Sequence, residues 1–97
     1  MGRWVRPDGG YILEVRGAAK NGVLDAAYFN PAPIHVAKAQ ALRERGALKV
    51  YVELRDVNYP GSIYNLVYDP ADDSLKGTYF QAVEQETYTI FFVRQKP

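Results

Sequence analysis

Cysteine is missing from this chain altogether. That excludes disulfides, thiolate metal sites and thiol nucleophiles, and it suits the cytosol and the bacterial envelope equally. Histidine occurs once, as His35, so a zinc or copper site would lack its preferred ligands. A histidine triad would need a nucleophile and a carboxylate that the spacing does not supply. Neither sign of charge is in excess: twelve Lys and Arg stand against eleven Asp and Glu, a net charge of +1. That balance exerts no long-range pull toward nucleic acid or an anionic membrane. No apolar stretch approaches the roughly 20 residues of a membrane-spanning helix, and no glycine-rich phosphate loop is present. These absences predict no cofactor, no metal, no nucleic-acid partner and no membrane span. They also argue against an enzyme, because no set of titratable groups converges.

What the chain does have is tyrosine and alternation. Eight tyrosines, four phenylalanines and one tryptophan supply bulk within 97 residues, a length that predicts one domain over residues 1–97. The run from Leu48 to Arg55 places aliphatic side chains at even positions and mostly charged ones at odd positions. A strand points successive side chains to opposite faces, so this pattern calls for one dry face and one wet face. Similar runs cover Tyr11 to Arg16, Val23 to Phe29, Ile63 to Tyr68, Leu75 to Val83 and Thr87 to Arg94. Turn signals separate them: Pro7-Asp8-Gly9-Gly10, Lys20-Asn21-Gly22, Asn30 to Pro33, and Asp69 to Asp73. Pro60-Gly61 marks a tight turn within a loop from Asp56 to Ser62, and Gly77 marks a bulge or sharp bend in its strand.

One run reads two ways. Ile34 to Leu42 begins as a strand, but Ala37 to Arg45 is rich in helix formers. A strand is favoured, because the turn at Arg43 to Gly46 leads directly into the next run. The whole is an all-β protein, a small antiparallel up-and-down meander of seven to eight strands. A meander of that length curls into a closed or nearly closed barrel, or folds over as a sandwich, because long open edges invite aggregation.

Arg94 shares parity with Tyr88, Ile90 and Phe92, the expected buried face of its strand. A core-facing arginine needs a partner, and an indole face can supply one. With Gly2 and Trp4 at the start and Arg94 near the end, the pattern resembles the lipocalin and fatty-acid-binding (calycin-type) superfamily. There a Gly-x-Trp motif on the first strand packs against an arginine late in the last one. The segment Trp4 to Val15 is also similar to the opening of small lipocalin-like bacterial domains. The tract from Val52 to Ala82, with VELRDVNYPGS and GTYFQA, is similar to small bacterial proteins of uncharacterised function. The resemblance implies that Trp4 and Arg94 close the barrel and that the barrel binds a small apolar ligand. It leaves two compartments open, the cytosol and a bacterial periplasm reached through a signal since removed. This chain is far shorter than a typical lipocalin, so inward tyrosines could fill the ligand cavity.

The residues expected to face the barrel interior or mouth, and so a ligand, are Tyr11, Tyr28, Tyr59, Tyr64, Tyr68, Tyr79 and Tyr88. Opposite parity sends Ile63, Val67, Phe80, Phe91 and Val93 outward, an apolar stripe suited to a homodimer or another protein partner. Asp69, Asp72 and Asp73 lack the spacing of a calcium loop and read as turn residues. The expected function is non-catalytic binding of a small apolar ligand; the alternative is an interaction module using the outward stripe. A third reading, stacking of single-stranded nucleic acid on Tyr51 and Tyr59 beside Lys49 and Arg55, is opposed by the near-neutral charge.

Overall fold

The alternating runs become strands that differ in detail from the expectation. The computed structural model describes residues 2–95. Its nine strands are β1 (Gly2–Val5), β2 (Ile12–Ala18), β3 (Leu24–Phe29), β4 (Pro33–Ile34), β5 (Val36–Glu44), β6 (Ala47–Asp56), β7 (Tyr59–Asp69), β8 (Ser74–Gln81) and β9 (Glu86–Arg94). All lie in one sheet in the order β4-β3-β2-β1-β9-β8-β7-β6-β5, every pairing antiparallel. The meander thus has two arms, joined where β1 meets β9 through Trp4↔Arg94 and Val5↔Val93. The outer strands of the arms approach each other across a short seam. A bridge between Val23 and Gln40 spans it, as do hydrogen bonds from Ala41 N–H to the Gly22 carbonyl (2.8 Å) and from Arg55 N–H to the His35 carbonyl (3.0 Å). The result is a nearly closed barrel, and those bonds satisfy edge groups that would otherwise template aggregation.

The inward set matches the parity argument. Val50, Val52 and Leu54 of β6 are buried, as are Tyr64 and Leu66 of β7, Leu75 and Tyr79 of β8, and Ile90 and Phe92 of β9. Leu13, Tyr28 and Trp4 complete the far wall. Fully burying an aliphatic or phenyl side chain is worth about 1.5–3 kcal/mol. The middle of the barrel is therefore a packed core: the Tyr64 ring lies 4.4 Å from Tyr79, 5.2 Å from Phe92 and 5.6 Å from Tyr28, centroid to centroid.

Three local expectations need correction, and the run that reads two ways takes the favoured strand form. The strand count is nine, because the ambiguous run forms two strands, β4 and β5. Residues 36–44 are extended throughout, so helix propensity loses to the ladder with β6, which pairs nearly every residue of the strand. A bulge between Val36 and Lys38 resets the parity there, letting Val36 and Ala39 both face the core and blurring the sequence pattern. Pro60 and Gly61 form no turn: both lie inside β7, beside a register shift opposite Leu54 and Arg55, with Gly61 at φ 96°. The turn itself is Val57-Asn58. Gly77, conversely, carries no bulge, since β8 runs in unbroken register with β7 and β9.

Candidate functional site

At one end of the barrel the core gives way to a polar layer. Arg6 follows β1 on the same parity as Trp4, and its backbone N–H continues the ladder to the Tyr11 carbonyl (2.9 Å). Its side chain therefore points inward, and the residue is only 8% exposed. A buried cation requires partners. Asp8, in the turn that follows, accepts a bidentate pair from Nε (2.9 Å) and Nη2 (2.7 Å). Nη1 donates to the Tyr64 hydroxyl (2.8 Å), which shares a hydrogen bond with the Tyr28 hydroxyl (2.7 Å). The guanidinium also lies 4.7 Å from the Tyr11 ring centroid and 5.5 Å from that of Tyr79. Among the described residues no buried side-chain nitrogen or oxygen is left without a partner.

Above this layer lies an opening of about 560 Å³. Tyr11, Tyr28, Tyr59 and Tyr79 line it with Arg6, and Asn30, Asp56, Asn58 and Gln81 add polar groups. The aliphatic contribution comes from Ile34 and Val57. The rim is held in place: Asn30 donates to the Tyr59 hydroxyl, and the Asp56 carboxylate accepts from the backbone N–H groups of His35 and Val57, each at 2.7 Å. Gln81 Oε1 caps the turn after β8 by accepting from Val83 N–H (2.6 Å) and Glu84 N–H (3.1 Å).

Electrostatics fix the charge states. Burial pulls the Arg6 guanidinium down, but hydrogen bonds with Asp8 and Tyr64 outweigh it, and the net shift is upward. Burial drives Tyr28 well above the ordinary phenol value and pushes Tyr64 up to about 12, its bonds to Tyr28 and Arg6 partly offsetting the rise. Burial raises Tyr79 as well. These phenols stay neutral at physiological pH. The Arg6 hydrogen bond holds Asp8 below the usual carboxyl range, and the His35 and Val57 N–H groups do the same for Asp56. A carboxyl whose folded pKa is depressed binds protons more readily in the unfolded chain. Its stabilising contribution is present above the unfolded value of about 4 and is lost as the pH falls through the lower folded value. Acid titration of the unfolding free energy is therefore expected to show stability falling below about pH 4. In Asp8→Asn that acid limb should be shallower.

The seven expected ligand tyrosines divide. Four line this mouth and Tyr64 lies directly beneath it. Tyr68 is at the opposite end, edge-on to Trp4 at 6.0 Å, with its hydroxyl donating to Asp73. Tyr88, the cross-strand partner of Tyr79, is 44% exposed and donates to Glu84 rather than lining the mouth. At that opposite end Arg94 lies over the Trp4 ring at 4.2 Å, packs against Gly2 and bonds Asp73 (2.7 and 3.2 Å). Val15, Leu24, Leu48 and Leu75 join Trp4 around a pocket of about 410 Å³ there, the end with hydrocarbon walls. Asp69 and Asp72 pair with Lys76, and Asp72 also accepts from Ser74. His35 is exposed.

The outward residues lie on one face, but polar side chains interrupt them. Phe91 (47% exposed) and Val67 (40%) flank Lys76, while Ile63 and Phe80 are cross-strand neighbours and, like Val93, half-buried. Asn65, Thr78 and Thr89 form the polar row between them. Arg6, Asp8, Asn30, Gln81 and Asp56 were not among the expected site residues. Arg6 carried a usable signal, the same core-facing parity that singled out Arg94. Asn58 and Tyr59 reach the mouth from the β6–β7 turn. Among the described residues no helix is long and apolar enough to cross a membrane. Comparisons of the chain with family profiles, curated proteins and solved structures return no match.

Proposed function

We propose that this protein is a non-catalytic binding domain whose small-molecule ligand sits in the Arg6 mouth. One observation carries the reading: the larger of the two pockets at the barrel ends is also where ring faces and polar groups converge above a fully bonded floor. Ligand sites are typically concave, about 300–1,000 Å³ in volume, largely pre-formed, and equipped with a few fixed polar groups. The packed core beneath moves the ligand from the barrel interior to its end. A ligand here meets Tyr59 and Tyr11, both half-buried, and the amides of Asn30, Asn58 and Gln81. A fragment screen read by ligand-observed NMR tests this. Hits should bind the native protein and lose about tenfold or more in affinity in Tyr59→Ala, the truncation of an aromatic anchor. Hits that bind Tyr59→Ala undiminished would place the site elsewhere.

A second reading, self-association through the outer face of β7–β9, is supported by the exposure of Phe91 and Val67. On that reading Phe91→Lys, a surface change, shifts stability by no more than about 0.5 kcal/mol and abolishes concentration-dependent association in sedimentation. A native protein that stays monomeric at millimolar concentration would remove it.

A further inference from the structure

We infer that the ligand class of the Arg6 mouth is a neutral saccharide; this rests on the mouth being the ligand site. Charge narrows the class first. A ring of tyrosines beside an acidic residue would ordinarily suit an organic cation. Here the protein's own cation already occupies that ring, with the Arg6 guanidinium between 4.7 and 5.9 Å from the centroids of Tyr11, Tyr79 and Tyr64. A second cation placed above it would be repelled. Anions fare no better: Asp8 neutralises Arg6 through two hydrogen bonds. The one other charge lining the mouth is the Asp56 carboxylate. Fatty carboxylates and phosphorylated ligands would therefore meet no uncompensated positive charge.

The chemistry of the walls narrows it further. Ile34 and Val57 are too few to cradle a hydrocarbon chain, and the hydrocarbon walls are at the far end of the barrel. What lines the mouth instead is planar and polar. The Gln81 amide has Oε1 committed to two backbone N–H groups, leaving its Nε2 hydrogens as donors. Asn58 sits at φ 68° at the tip of the β6–β7 turn, and its side chain makes no hydrogen bond among the described residues. The Tyr11 hydroxyl likewise adds a donor and acceptor without a partner among the described residues. A pyranose matches this mixture. Its equatorial hydroxyls each donate and accept, and planar amides can bond two neighbouring hydroxyls at once. Its axial C–H groups form an apolar face that packs on an aromatic ring such as Tyr59.

Titration calorimetry with four classes of probe distinguishes the outcomes: neutral trisaccharides (maltotriose, cellotriose, triacetylchitotriose), tetramethylammonium, decanoate and adenosine. The inference expects at least one trisaccharide to bind, with affinity about tenfold lower or more in Tyr59→Ala and measurably lower in Asn58→Gly. The glycine variant keeps the positive φ and removes only the amide, so it guards against a folding artefact. Binding of tetramethylammonium, decanoate or adenosine, lost in Tyr59→Ala, with no saccharide binding, overturns the saccharide assignment and leaves the mouth as the site. Saccharide binding unchanged in both variants overturns the assignment to this mouth. No binding by any probe overturns the saccharide assignment, and the fragment screen then decides the mouth separately.

Discussion

Gly77→Ala is expected to destabilise the protein by about 3 kcal/mol or more, the upper range for forcing extra atoms into a packed interior. Gly77 sits in the middle of β8, facing inward between Leu66 of β7 and Ile90 of β9. A Cβ there would lie 1.9 Å from the Asn65 carbonyl oxygen and 3.0 Å from the Leu66 Cα. Both are backbone atoms held in the ladder, so they cannot swing aside as a side-chain terminus would. The bare Cα lets β7 and β8 curl tightly enough to bring the two arms of the sheet around one core. The control is Gly17→Ala, where an added Cβ meets nothing within 4 Å. That change should be neutral or stabilise by up to about 1 kcal/mol through reduced unfolded-state entropy. Urea unfolding reads both, as a large drop in midpoint for Gly77→Ala at unchanged slope and little change for Gly17→Ala.

Tyr64→Phe should cost about 2–4 kcal/mol despite removing one atom, because it strands two buried groups at roughly 1–3 kcal/mol each. The Tyr64 hydroxyl accepts from Arg6 Nη1 and shares a hydrogen bond with Tyr28. Without it the Tyr28 hydroxyl, at a site 2% exposed, has no partner, and one guanidinium N–H faces a phenyl edge. The double-mutant cycle makes the argument specific. Removing the Tyr28 hydroxyl in the Tyr64→Phe background should recover part of the loss, because the stranded group is then gone. Strict additivity of the two changes would show that the hydroxyls do not depend on each other.

The barrel was legible because alternation is a direct readout of which face is dry. Val50, Val52 and Leu54 could be assigned to the core from their spacing alone, and the same logic placed Leu13, Tyr28, Tyr64, Leu66 and Phe92. What misled was local. The bulge at Val36–Lys38 inserts a residue and breaks the period that the reading depends on, while the helix formers from Ala37 to Arg45 gave β5 its helical alternative. Pro60-Gly61 is a turn signal in most contexts, but here Gly61 serves a bulge within β7 and the chain reverses earlier, at Val57-Asn58.

The site was only partly legible. Parity can say that a tyrosine faces inward but not at which height along the barrel axis it sits. Tyr11, Tyr28 and Tyr79 meet at one end while Tyr68 reaches the other, and only the strand register decides this. Arg6 escaped notice because it stands just past the short strand β1, next to a turn, where charged residues are usually solvated. Its burial depends on three tyrosines and an aspartate arriving from elsewhere in sequence or space.

Ring-¹³C NMR of tyrosine-labelled protein, titrated with a ligand from the fragment screen or a bound trisaccharide, tests the location of the site most directly. The account predicts that the Tyr59 and Tyr11 ring signals move while that of Tyr68, at the far end, stays fixed. Movement of Tyr68 with Tyr59 and Tyr11 unchanged would put the ligand at the Trp4 end and contradict it.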